Sequence, residues 1–116
     1  MIYNKIIKKD CKEKYKMYDI NKISYDCTEY EILENGELKA YVFIYIYPQC
    51  IYFDILDYAD YDILCDIIKG IKLKFNKLYV KCRVYDIIKA EALICNDFNL
   101  IADYIYPQYY LFKWEK

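Results

Sequence analysis

The alternation of apolar and polar positions is sharpest between Ile51 and Asn99. IYFDILDY reads as a strand, YDILCDIIKGIKLKF as a helix, KLYVKCRV as a strand and DIIKAEALICNDF as a helix. A helix inserted between two strands is the pattern of a crossover to a parallel neighbour, here 50–58 and 77–84. In the first helix Leu64, Ile67, Ile68, Ile71 and Phe75 form one stripe at helical spacing. Gly70 inside it costs about 1 kcal/mol relative to alanine. In the second helix, capped by Asp86, the spacing predicts a buried line of Ile87, Ala90, Ile94 and Phe98.

Upstream, 25–33 alternates with Thr28, Tyr30 and Ile32 on one side and Glu29 and Glu31 on the other, which predicts a half-buried strand. Asn35-Gly36 then predicts a type I′ hairpin turn, because both central positions need positive φ. The strand 38–47 is apolar on both faces. Leu38, Ala40, Val42, Ile44 and Ile46 share one face, and Tyr41, Phe43, Tyr45 and Tyr47 the other. Such a strand belongs in the middle of a covered sheet. Ile46-Tyr47-Pro48-Gln49 recurs as Ile105-Tyr106-Pro107-Gln108, and both read as hairpin turns. At the start, IYNKIIK reads as a short strand, and Asp10 would cap a helix through Met17 with Glu13 as capping-box partner. The order is β-α-β-β-β-α-β-α-β-β. It predicts an α+β fold with a mixed, mostly antiparallel sheet and helices on both faces. Residues 1–116 form one domain, of which 1–24 is a short, variable strand and helix.

Composition narrows the chemistry. The net charge is -1, so nothing in the bulk charge draws the chain to nucleic acid or an anionic membrane. No apolar run is long enough to span a bilayer, and the N-terminus has no signal-peptide core, which places the protein in the cytoplasm. There is no histidine, and the six cysteines form no C-x-x-C pair, so neither zinc nor histidine-based catalysis is expected. The cysteines read as reduced, small core residues. The row Tyr41, Phe43 and Tyr45 has the chemistry of a base-stacking platform. It lacks the basic surround that single-stranded nucleic acid requires, and burial under a helix is the preferred reading. The run Lys69, Lys72, Lys74, Lys77, Lys81 and Arg83 is either a solvated face or a site for an acidic group.

The segment LYVKCRVYDIIKAEALICNDFNLIADY, with Phe98 leading into the next strand, resembles the GNAT family of acyl-CoA N-acyltransferases in spacing and topology from about residue 25 onward. The resemblance implies acetyl-CoA against the sheet where the parallel strands 50–58 and 77–84 splay apart, with Val80 and Cys82 as contact positions and Lys69 reaching the 3′-phosphate. It implies Asp54 as the base that takes a proton from an acceptor amine. Tyr85 is the hydroxyl nearest to the general-acid role, because the family's tyrosine position aligns with Leu93. The family's helix-opening asparagine aligns with Asp86, and the glycine before the phenylalanine with Asp97. Its basic, glycine-rich pyrophosphate loop corresponds to Asp57-Tyr58-Ala59-Asp60-Tyr61-Asp62, which has no glycine, arginine or glutamine. Carboxylates there repel phosphate by about 1 kcal/mol or more per close pair. The expectation is an acyltransferase-related domain with an altered cofactor loop, binding acetyl-CoA or no cofactor. The alternative is a non-catalytic interaction or regulatory domain with a protein partner or a second copy of itself.

Overall fold

The computed structural model describes the backbone of residues 2–7, 26–103 and 108–116, and the side chains of 27–101 and 108–116. The helix expected over 10–17 lies outside the described residues, as does most of the second expected turn. The chain divides into two compact units, residues 1–57 and 58–116.

The first unit is an antiparallel meander of β1 (Ile2–Ile7), β2 (Asp26–Glu34), β3 (Glu37–Ile46) and β4 (Ile51–Leu56), paired in that order. The Asn35-Gly36 turn forms as its chemistry requires, with φ of 53° and 79°. At the β3–β4 corner the Tyr47 N–H donates to the Cys50 carbonyl at 2.9 Å, which leaves Pro48 at a position that owes no ladder donor. β3 lies between β2 and β4 and is buried on both faces: Ala40, Val42 and Ile44 on one, Phe43 and Tyr45 on the other. Phe43 and Tyr45 stack at 6.3 Å and cluster with Cys27, Tyr41, Tyr47 and Tyr52, so their rings are core and not an open platform.

Two expectations fail in β2. Glu29 is buried instead of facing water, because it sits opposite Phe43 on the aromatic face. Cys27, on the same face, is disulfide-bonded instead of reduced. Cys50, Cys65, Cys82 and Cys95 are free thiols.

The second unit holds α1 (Tyr61–Lys72), β5 (Lys77–Arg83), α2 (Ile87–Cys95), β6 (Asn99–Asp103) and β7 (Tyr109–Glu115). β7 lies between β5 and β6 and is antiparallel to both. α1 buries Ile63, Leu64, Ile67, Ile68 and Ile71; the expected stripe gains Ile63 and loses Phe75, which is half-buried beyond the helix's end at Lys72. Each such side chain contributes about 1.5–3 kcal/mol by leaving water. β5 buries every second residue, Leu78, Val80 and Cys82.

α2 departs from expectation. Its buried residues are Lys89, Ala92 and Leu93, with its C-cap Asn96 buried too, while Ile87 and Ile94 are 72% and 60% exposed. The buried set follows the same i, i+3, i+4, i+7 spacing, but its outer members are polar. Lys89 is held by an ion pair to Asp86 at 3.8 Å. The Asn96 amide donates to the Ala92 carbonyl at 2.7 Å. These partners offset the cost of burial that made isoleucine the expected choice.

The helix ends are tied down. Asp97 follows α2 with φ 71°, and the Phe98 N–H returns to the Leu93 carbonyl at 3.0 Å. Lys72 reaches from the end of α1 to the Asn96 carbonyl at 2.8 Å and to Asp97 at 3.6 Å. It also lies over the Trp114 ring at 5.0 Å. Among the described residues no helix is long and apolar enough to cross a membrane, and no cluster of histidine, cysteine, aspartate or glutamate could hold a metal.

Candidate functional site

An open cleft of about 620 Å³ lies in the second unit where the chain enters α1. Tyr58, Ala59, Asp60 and Tyr61 line it from the entry loop and first helical turn, and Ile88 and Glu91 line it from α2.

The loop is shaped by its own carboxylates. Asp60 adopts extended backbone, and its Oδ1 accepts from the Ile63 N–H at 2.9 Å, the normal geometry of an N-cap. Asp62 adds a second negative charge to the first turn. The positive end of the helix dipole, which elsewhere attracts an anionic ligand, is thus already met from within the chain.

Asp86 joins the loop to α2. Its Oδ1 accepts from the Lys89 N–H at 3.1 Å, capping α2, and from the Tyr58 hydroxyl at 2.9 Å. Partial burial, together with the hydrogen bond to this carboxylate, pushes the Tyr58 phenol up to about 12. The Cys82 thiol lies 3.6 Å from the Asp86 carbonyl. The neighbouring thiols of Cys95 and Cys65 push the Tyr61 phenol up as well. The Tyr58 hydroxyl is thus engaged by the carboxylate that caps α2. Among the described residues, the charged side chains that line the cleft are Asp60 and Glu91.

The residues singled out in the sequence lie elsewhere. Asp54 is half-buried on β4, and its Oδ1 accepts from the N–H of Ile55 at 2.8 Å. Val80 and Cys82 share the buried side of β5. Lys69 is exposed in the last turn of α1. Tyr85 is 64% exposed in the turn after β5, where its hydroxyl accepts from Arg83 at 2.5 Å. Val80 and Cys82 lie side by side on one strand face, and the cleft lining includes none of the five. The Asp57–Asp62 loop was legible as the place to look. Ile88 and Glu91 were not, because they face the cleft only when α2 is rotated onto its polar side.

No protein-family model matches the chain, and no curated protein matches it in sequence. Solved structures do match in fold. The chain is similar to the N-acetyltransferase PseH of Campylobacter jejuni in complex with acetyl coenzyme A, with a TM-score of 0.64 and 10% identity over 90% of this chain and 78% of that one. It is similar to the ribosomal L7/L12 alpha-N-protein acetyltransferase RimL in complex with coenzyme A, with a TM-score of 0.63 and 13% identity over 89% and 68%. It is also similar to the ribosomal-protein-S18-alanine N-acetyltransferase of Escherichia coli, with a TM-score of 0.62 and 12% identity over 98% and 92%. The chain therefore has the GNAT N-acetyltransferase fold, α+β with a mixed sheet.

Proposed function

We propose that this chain is a non-catalytic binding domain on a GNAT scaffold, one that has exchanged acyl-CoA recognition for another contact. The observation that carries the reading is the carboxylate of Asp60 seated on the N–H of Ile63 at the start of α1, with Asp62 beside it. A nucleotide pyrophosphate is recognised by backbone donors and positive charge at such a helix start. Here one of those donors, the Ile63 N–H, is taken, the charge beside it is negative and glycine is absent from the loop. The domain then acts in the cytoplasm through a protein partner or a second copy of itself.

Isothermal titration calorimetry with acetyl-CoA tests this. The expected result is no saturable heat up to millimolar ligand. A dissociation constant in the micromolar range overturns the reading.

The second reading is an active acyl-CoA N-acyltransferase with an unusual loop. The cleft beside the start of α1 favours it, as do the acetyl-CoA and CoA of two fold neighbours. Asp54 would then be the base and Tyr85 the acid, with Val80, Cys82 and Lys69 on the cofactor.

A further inference from the structure

We infer that Cys65 of α1 and Cys95 of α2 form a redox clasp, a pair of thiols that closes to a disulfide between the two helices beside the cleft. The clasp does not depend on what the cleft binds, so it goes beyond the reading above.

α1 and α2 pack side by side and run the same way. At one end Tyr61 of α1 lines the cleft together with Ile88 and Glu91 of α2. At the other end the Lys72 ammonium of α1 donates to the carbonyl of Asn96, the C-cap of α2, at 2.8 Å. Cys65 lies between Tyr61 and Lys72, one helical turn after the tyrosine. Cys95 lies one turn after Glu91 and directly before Asn96. Each cysteine thus sits on the flank that meets the other helix, at a level between the two contacts. The thiols of both also raise the pKa of one and the same phenol, that of Tyr61, which only its neighbours do. Packed helix axes stand about 8–10 Å apart with Cα atoms about 2.3 Å off each axis, so facing positions come within the 7 Å or so that a disulfide spans.

Access sets the order of events. All three described cysteines of the second unit are free thiols. Cys95 is exposed, Cys65 is half-buried and Cys82 is buried on β5. With hydrogen peroxide as the oxidant, the Cys95 thiolate attacks one peroxide oxygen, the O–O bond breaks, and a sulfenic acid and one water result. The Cys65 thiolate then attacks that sulfur, the S–O bond breaks, and a second water leaves. The two thiols give up two hydrogens and two electrons, and one peroxide becomes two waters. The bond ties the second turn of α1 to the last turn of α2 and so fixes the spacing of the helices at the cleft.

The test treats the intact chain with stoichiometric hydrogen peroxide and maps its cysteines by mass spectrometry of unreduced proteolytic fragments. The fragments holding Cys65 and Cys95 are expected to be joined. The link should form about tenfold or more faster in the folded chain than in urea, because the fold holds the thiols together. Cys65→Ser should abolish the link and leave Cys95 as a sulfenic acid that dimedone traps. Amide hydrogen exchange in the last turn of α2 should slow once the link has formed. Four outcomes overturn the inference: a link from Cys95 to another cysteine or to a second chain, a rate no higher than in urea, dimedone trapping of Cys95 that is the same with and without Cys65, or exchange unchanged by the link.

Discussion

The two helices of the second unit begin alike, each with an aspartate N-cap, and are held in opposite ways. α1 buries five aliphatic side chains and keeps Asp62, Asp66 and Lys69 exposed. α2 exposes Ile87, Ile88 and Ile94 and buries Lys89 and Asn96 beside Ala92 and Leu93. The caps differ in the same sense. Asp60 is exposed and makes one helix-cap bond, whereas Asp86 is half-buried and serves a backbone N–H, a tyrosine hydroxyl and a lysine. α1 is anchored by its apolar stripe, and α2 by a polar network at its first turn and a capped last turn. The contrast shows that the more hydrophobic helix need not be the one with the more hydrophobic buried face.

The contrast can be tested by truncating isoleucines. Ile67→Ala in α1 should cost about 3–4 kcal/mol in urea unfolding, the range for a fully buried aliphatic side chain. Ile88→Ala in α2 should stay within about 0.5 kcal/mol. Equal costs would break the comparison.

The caps come next. Asp86→Ala removes a cap, the acceptor of the Tyr58 hydroxyl and an ion pair to the buried Lys89, so it should destabilise by about 2–3 kcal/mol. Asp60→Ala removes a cap alone and should cost about 1 kcal/mol. The same unfolding experiment reads both, and a reversed order would show that the network on α2 is not its anchor.

A smaller change of opposite sign is expected at Asp97. Its φ of 71° lies in the left-handed region, where a Cβ is unfavourable. Asp97→Gly should stabilise by about 0.5–1 kcal/mol, against a small loss of the exposed contact to Lys72.

The least effect appears only at high pH. Partial burial and the hydrogen bond to Asp86 push the Tyr58 phenol up to about 12, from the ordinary value near 10. A phenol whose pKa is raised by folding contributes stability that is present below pH 10 and lost as pH rises from 10 toward 12. Asp86→Asn should bring that midpoint down, because the neighbouring carboxylate's charge is gone. A pH titration of the tyrosine ring resonances measures it.

Much of the fold was legible because it is written in local periodicity. The Asn35-Gly36 turn, the doubly apolar β3, the stripe of α1 from Leu64 to Ile71 and the alternation of β5 all formed where their patterns placed them. The resemblance to the GNAT family, read from the spacing around Phe98, agrees with the fold the chain adopts. The site was legible only in part. The acidic loop at 57–62 showed where helix-start chemistry had changed, but Asp54, Tyr85, Val80, Cys82 and Lys69 do not line the cleft beside it. Glu29 and Cys27 were misread for a related reason: a two-residue period separates the faces of a strand but does not say which of them is covered.

What the sequence determined by itself is the identity and order of the elements, because hydrogen bonding and alternation along the backbone depend on near neighbours. It also determined the charge of the α1 entry loop, which no packing can alter. Only the tertiary structure decided which side of α2 faces inward. A buried lysine and asparagine become acceptable once Asp86 and the Ala92 carbonyl stand within reach, and that proximity is a property of the folded chain. The same rotation brings Ile88 and Glu91 to the cleft, so its chemistry was settled by packing rather than by motif.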